Sequence, residues 1–218
     1  MTPATTERFD AIIIGSGQAG KPLALALAQA GRQTAIIERR HVGGTCINTG
    51  CTPTKTMVAS GRVAYLARRA ADYGVHTGPV TVDIARVLQR KQAIVESFRS
   101  GSQRRLESTQ GVSLLFGEAT FTAPHALEVR MGSGEVRTMT ADLIFINIGG
   151  RPEKPAVPGL DSLPALDSTS IMELDVLPEH LLVLGGRLHR RGIRADVPPL
   201  WQPGHHRAAR QATAGAGR

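Results

Sequence analysis

The chain reads as an α/β protein in which parallel strands alternate with helices, joined by a small antiparallel meander and by the start of a second unit of the same type. Three observations carry this reading. A β-branched run, Phe9 to Ile14, opens straight into Gly15, Gly17 and Gly20, and these lead into the helix-forming stretch PLALALAQA. A second apolar run, Gln33 to Glu38, follows at the distance a helical crossover requires. Near the C-terminal end, LPEHLLVLGG again passes from an apolar stretch into glycines.

Composition sets the outer limits. At 218 residues the chain suffices for one large domain or two smaller ones. Its 41% hydrophobic and 20% charged residues fit a globular protein, and no apolar run approaches a membrane span. The opening MTPATTERFD has no basic segment followed by an apolar one, so no signal peptide is expected and the expected location is cytoplasmic. Residues 187–218 hold seven arginines against one aspartate, so +6 of the net +8 belongs to this tail and +2 to the rest. The body of the chain therefore lacks the spread of positive charge that a nucleic-acid surface needs.

Each glycine of GSGQAG has a physical task. Gly15 permits the tight turn, Gly17 lets the backbone approach a pyrophosphate, and Gly20 lets helix and strand pack closely. A diphosphate would sit on the N-terminus of the following helix, where unpaired N–H groups and the dipole favour an anion. Glu38 stands 23 positions after Gly15, where a carboxylate accepts hydrogen bonds from ribose hydroxyls. The order of strand, glycines, helix, strand and acid points to a dinucleotide site, with an ordinary βαβ unit as the plainer alternative. It does not separate FAD from NAD.

Next comes GGTCINTGCTPTK, Gly43 to Lys55, which holds both cysteines, Cys46 and Cys51, with four residues between them. Two cysteines are too few for the framework of a small secreted protein, so a redox or catalytic role is the expectation. The spacing differs from the C-x-x-C of thioredoxin-like proteins. It is also a poor zinc pattern, with no second Cys or His pair at ligand spacing and His41 alone, so no metal site is expected. A helix from about Thr45 would carry both cysteines in its first two turns, one roughly above the other. They could bond if the first turn were distorted, and a helix N-terminus favours a thiolate. The plainer alternative is a pair of buried small apolar residues. His41 is expected in a loop, and His76, His125 and His180 as structural or surface residues.

This segment resembles the redox-active signature of the class I pyridine nucleotide-disulfide oxidoreductases, the family of dihydrolipoamide dehydrogenase, glutathione reductase and mercuric reductase. The similarity extends from residue 9 to about 186. It implies a Rossmann-like FAD-binding domain, with FAD at Gly15, Gly17 and Gly20 and its adenosine ribose on Glu38. It also implies that Cys46 is the interchange thiol that attacks substrate and Cys51 the thiol against the flavin, the two forming a redox-active disulfide. Lys55 would lie near the flavin N5 edge, and Gly44 and Thr45 would contact the cofactor through the backbone. Thr52 to Lys55 stand where lipoamide dehydrogenases usually show I-P-S-K, which makes mercuric-reductase-like members the nearer resemblance.

After the cysteines an amphipathic helix continues over 56–72. A longer helical pattern runs from about Asp83 to Glu107, with Ile84, Val87, Leu88, Ile94, Val95 and Phe98 at helical spacing. Its Arg and Lys residues read as a solvated face. Strand signals follow at 112–121, 126–131 and 135–141, with Gly132 to Gly134 as a hairpin turn, and again at Leu143 to Gly149. By the resemblance, the first of these passes the adenine, so backbone at Gly117 and Ala119 would contact FAD. INIGGRP is similar to the family's A-T-G-x-x-P fingerprint, with Asn147 in place of the usual small residue and Gly149 at the position of close approach. The Pro- and Gly-rich segment Arg151 to Gly159 reads as a linker.

The expected domains are thus an FAD-binding domain with the redox disulfide over 1–150, a linker and first strand of an NAD(P)-binding domain over 151–186, and an off-pattern basic tail over 187–218. The family pattern asks for a second G-x-G-x-x-G after LPEHLLVLGG. Arg187 onward lacks both glycine pattern and apolar periodicity, and reads as disordered. A one-base insertion at Gly186 to Arg187 would account for this, since one choice of codons read out of register restores G-G-G-Y-I-G, a helix and a strand. The reading is a truncated, frameshifted N-terminal fragment, with a natural basic extension as the alternative.

The expected function is passage of electrons from NAD(P)H through FAD to the Cys46–Cys51 disulfide, and on to a small-molecule or protein disulfide or to a metal ion such as Hg(II). The NAD(P) site, the C-terminal catalytic His and the dimerisation domain of full-length, homodimeric relatives find no counterpart in these residues. The chain is expected to be inactive alone and not to form that homodimer. The alternatives are a non-enzymatic flavin- or nucleotide-binding module and a nucleic-acid-binding role for the tail. No membrane partner is expected.

Overall fold

A computed structural model describes residues 6–184. The expectations placed on the tail, and on Gly185 and Gly186, lie outside the described residues. The chain divides into two compact units, one formed by Met1–Thr52 with Ile94–Pro155, the other by Pro53–Ala93 with the chain from Ala156 onward.

The first unit is built on β1 (Glu7–Ile14), β2 (Thr34–Glu38), β3 (Val112–Ala123), β4 (Ala126–Met131) and β5 (Val136–Ile146). β3, β2, β1 and β5 pair in that order, all parallel, and β4 runs antiparallel to both β3 and β5, which closes the set into a barrel. Closure follows from strand length. Val112–Phe116 pair with β2, and Gly117 onward pairs with β4; β5 pairs with β4 up to Thr140 and with β1 from Met139. The two strands expected at 135–141 and 143–149 are therefore one, whose halves have different partners. Gly117 sits at the handover in β3. A Cβ there would lie 2.7 Å from the Arg130 carbonyl oxygen and 2.8 Å from Val129 Cγ1.

Burial on both faces explains the unbroken apolar run of β1. Ile12 faces the strand-enclosed core with Ile37, Leu127, Val129 and Met139. Ile13 faces the opposite way, packing with Ile36, Val42, Ala24 of α1 (Gly20–Gln29) and Leu106 of α4 (Ile84–Glu107). Such runs are what a parallel sheet covered on both sides selects. At the far end of β1, Arg137 grips the Glu7 carboxylate through Nε at 2.7 Å and Nη2 at 2.5 Å, which holds the register of β5 against β1.

In the second unit, α3 (Cys51–Arg68) ends four residues earlier than the amphipathic pattern, and Ala70–Tyr73 forms a 3₁₀ turn closed by Gly74 at φ +75°. The left-handed glycine is what stops the helix there. Arg90 of α4 donates to the Thr56 carbonyl of α3 at 3.0 Å. Lys91, 2% exposed, donates to the Met172 carbonyl at 2.7 Å and to Glu173 at 2.9 Å, fixing the 3₁₀ turn Ser170–Glu173 to α4. The strand expected in LPEHLLVLGG does not form over 181–184. A single extended segment has no ladder to join, and the described residues offer it none.

Candidate functional site

β1 delivers Gly15 into a turn that only glycine adopts with ease, at φ +104°, and its N–H donates to the Ile37 carbonyl at 2.8 Å. A Cβ on Gly15 would lie 2.2 Å from the Asn147 carbonyl oxygen. One on Gly20 would lie 2.2 Å from the Gly15 oxygen and 2.7 Å from Asn147 Nδ2. Asn147 thus closes one side of the turn. Its N–H donates to Ile14 at 2.8 Å and its Nδ2 to the Gly15 carbonyl at 3.0 Å, a bond that the usual small residue could not make.

Glu38 ends β2 beside this turn. Its Oε2 accepts from the Ser16 hydroxyl at 2.6 Å and the Ser16 N–H at 3.1 Å, and its Oε1 accepts from the Arg40 N–H at 2.9 Å. A carboxylate has about four acceptor positions, so one stays open to a ribose hydroxyl. The N–H groups of Gly17 and Gln18 donate to no acceptor among the described residues. Open donors at the start of a helix, no side chain on Gly17 and an oriented acid together fit an adenine dinucleotide.

The cysteine segment is seated on the same turn. Gly43 and Gly44 both take positive φ, +112° and +61°, and a Cβ on Gly44 would lie 2.8 Å from Gly17 Cα. Gln18 Nε2 adds a bond to the Gly43 carbonyl at 3.3 Å. The helix expected from Thr45 through both cysteines is instead two helices, α2 (Gly44–Asn48) and α3, broken at Thr49 and Gly50. The chain leaves the helical region at Thr49, φ −139°, and just before it Asn48 Nδ2 donates to the Gly44 and Val42 carbonyls at 3.0 and 3.2 Å, tying the end of α2 back to its start. At Gly50 a Cβ would lie 2.9 Å from the Thr45 carbonyl oxygen.

Cys46 is half-buried in α2 and Cys51 is exposed as the first residue of α3, both as thiols. Thr45 is exposed beside Gly44, and Lys55 is exposed on α3 one turn beyond Cys51, on the same helix face. Gly117 and Ala119 face one way from β3, just past Phe116, which is in register with Glu38. Gly149 is exposed at φ +71° with open space around it, so its need for glycine is conformational. Gly15, Gly17, Gly20, Glu38 and Gly44 come together, with Cys46 two residues beyond; Gly117 and Ala119 lie within β3, and Gly149 follows the end of β5. His125 pairs through Nδ1 with the Ala141 carbonyl at 3.2 Å, a structural contact.

Motif reasoning overlooked Ser16, Asn48, Lys21, Arg99 and Ser102. Arg99 Nε donates to Asn48 Oδ1 at 2.8 Å, and Lys21 Nζ donates to Ser102 Oγ at 3.0 Å. A serine between two turn glycines was the available signal for Ser16; the α4 partners carried none. Among the described residues no group of three or more His, Cys, Asp or Glu could hold a metal ion, and no described helix is long and apolar enough to cross a membrane.

Fold and site together define a dinucleotide-binding α/β protein with a thiol pair beside the nucleotide turn. The chain belongs to the pyridine nucleotide-disulphide oxidoreductase family, whose model matches residues 9–187. It is 35% identical over 179 residues to a mercuric reductase of Streptomyces lividans, covering 82% of this chain and 38% of that protein. It is 36% identical over 182 residues to the probable pyridine nucleotide-disulfide oxidoreductase RclA of Escherichia coli, covering 82% and 37%, and 32% identical to a dihydrolipoyl dehydrogenase of Bacillus subtilis, covering 87% and 43%. A solved Cu(II) complex of the HOCl-induced flavoprotein disulfide reductase RclA from Escherichia coli superposes with a TM-score of 0.77 at 32% identity, over 89% of this chain and 41% of that one. The chain therefore spans about two fifths of the length of these relatives. The family and its flavoprotein members bear out FAD and NAD(P)H as the cofactors of full-length relatives.

Proposed function

We propose that this chain is the dithiol-bearing, flavin-binding part of a pyridine nucleotide-disulfide oxidoreductase, in which Cys46 and Cys51 alternate between a disulfide and two thiols. The supporting observation is the seating of Gly44 on Gly17, which sets the thiol segment on the nucleotide turn. Bound FAD supplies a two-electron relay between NAD(P)H and the pair. The protein's own residues do the rest. The Gly17 and Gln18 N–H groups hold phosphate oxygens, and Glu38 accepts from a ribose hydroxyl. The Cys46 thiolate attacks one sulfur of a substrate disulfide; a mixed disulfide forms as the substrate's S–S bond breaks and its first thiolate leaves. Cys51 then attacks the Cys46 sulfur, the second substrate thiolate leaves, and the Cys46–Cys51 disulfide re-forms. Two electrons have passed from the pair to the substrate.

A disulfide is the preferred substrate class. A metal ion such as Hg(II) is the other acceptor, supported by the mercuric reductases among the relatives. A cytoplasmic location suits a cycling, non-structural thiol pair. By themselves the 218 residues are proposed to turn over little NAD(P)H and not to form the relatives' homodimer, a reading supported by their span of 37% to 43% of those proteins. An anaerobic dithionite titration of FAD-loaded protein tests the assignment of the pair. The wild-type chain should take up about two more electrons than Cys51→Ser, the difference a disulfide accounts for. Equal uptake would refute it. A flavin-holding module without thiol chemistry is the second reading, and equal uptake with FAD retained is its signature.

A further inference from the structure

The seating of Gly44 on Gly17 brings the first turn of α1 alongside α2. Both are then tied to one face of α4: Ser102 receives Lys21 of α1 at 3.0 Å, and Arg99, three residues earlier, holds Asn48 at the end of α2 at 2.8 Å. Lys21 is half-buried, and among the described residues no carboxylate lies within ion-pair distance of it. The charged and titratable groups on α1, α2 and the part of α4 from Ile94 onward are Lys21, Cys46, Glu96, Arg99 (paired with Glu96 at 2.9 Å), Arg104, Arg105 and Glu107. Burial pushes the Lys21 ammonium below the ordinary lysine range; Cys46 pulls it back up, and Arg105 pushes it further down.

We infer that Lys21, its ammonium held in place by Ser102, is the positioning residue that keeps Cys46 as a thiolate in the reduced pair. This rests on the proposed role of Cys46 as the attacking thiol and adds its source of activation. Substrate attack needs the thiolate, and a cation on the first turn of α1 would favour that form at Cys46.

The test measures Cys46 alkylation by iodoacetamide between pH 5 and 10 in the reduced full chain carrying Cys51→Ser. The thiolate displaces iodide, forming an S–C bond, after its proton has left to the buffer. Lys21→Met should move the midpoint upward and slow alkylation at pH 7 about tenfold, the effect of about one pKa unit. Lys21→Arg should stay within about twofold of the parent, and Ser102→Ala should fall between. Thermal melting of the variants monitors the fold; should Lys21→Met not fold, the Lys21→Arg and Ser102→Ala profiles decide. A reactive Cys46 whose midpoint ignores these changes overturns the inference alone, as does weaker FAD retention with an unmoved profile, which would make Lys21 a phosphate ligand. A Cys46 that stays inert at pH 9, while Cys51 reacts in a Cys46→Ser chain, overturns both this inference and the attacking role.

Discussion

The Ser16 hydroxyl donates to Glu38 Oε2 at 2.6 Å and, from a fully buried position, also accepts the Gly43 N–H at 3.3 Å. One side chain thus joins the end of β1, the acid that ends β2 and the glycine that precedes the cysteine helix. Ser16→Ala should cost about 1.5–3 kcal/mol, the range for a hydrogen bond to a charged group, read as a lower melting temperature. It should also weaken FAD retention, because Glu38 loses its orienting donor. Glu38→Gln should lose less stability in the Ser16→Ala background than in wild type, since the two share one network. Strictly additive losses would show that Ser16 and Glu38 act separately.

The glycines of the turn differ sharply from those elsewhere in tolerance. A Cβ on Gly20 would stand 2.2 Å from backbone oxygen of Gly15, which cannot yield, whereas one on Gly101 inside α4 meets nothing within 4 Å. Gly20→Ala should therefore leave little folded protein, and Gly101→Ala should stabilise by about 0.5–1 kcal/mol through helix propensity. Urea unfolding of both variants checks the pair of outcomes. A Gly20→Ala chain as stable as wild type would show that α1 can move away from β1.

These two cases mark how much of the site the amino-acid pattern carried. β1, α1, β2 and α4 were legible because burial on both faces, or on one helical stripe, leaves a period in the sequence. The turn glycines were legible because steric exclusion permits few residue types. The break between α2 and α3 was not, because no period marks where the chain leaves the helical region at Thr49, nor that Asn48 beside it reaches back to Gly44 and Val42 and is held by Arg99, 51 residues away. The single β5 reads in the sequence as two strands because no local signal joins its halves. Its halves are distinguished only by partners, β4 and β1, that periodicity cannot see. Lys21 and Ser102 meet across 81 residues and belong to no motif.

Asp167 offers a pH dependence with a definite sign. Its Oδ1 accepts the N–H groups of Ser170 and Thr169, each at 2.8 Å, capping the 3₁₀ turn Ser170–Glu173. Those bonds, Ser170 first, hold its carboxyl below the ordinary aspartate value. A depressed folded value means that the stabilisation is present above the unfolded value and lost as pH falls through the folded one. Asp167→Ala should therefore cost about 0.5–2 kcal/mol at pH 7, as for a lost cap, with the gap to wild type closing below about pH 4. Melting curves from pH 7 to pH 3 measure it; a gap that widens on acidification would be the wrong sign.

Lys91 tests how the same 3₁₀ turn is held from the other side. Its ammonium is buried, and its two bonds are unequal: the Met172 carbonyl at 2.7 Å is a main-chain acceptor, while Glu173 is a carboxylate whose side chain is 67% exposed. The exposed partner is screened by water, so Glu173→Gln should change stability by less than about 1 kcal/mol. Lys91→Met keeps the apolar stem but leaves the Met172 carbonyl without its donor, at a cost of about 1–3 kcal/mol. Amide exchange across Ser170–Glu173 should quicken in Lys91→Met and hold steady in Glu173→Gln. Equal effects in both variants would move the weight of the contact from the buried carbonyl to the ion pair.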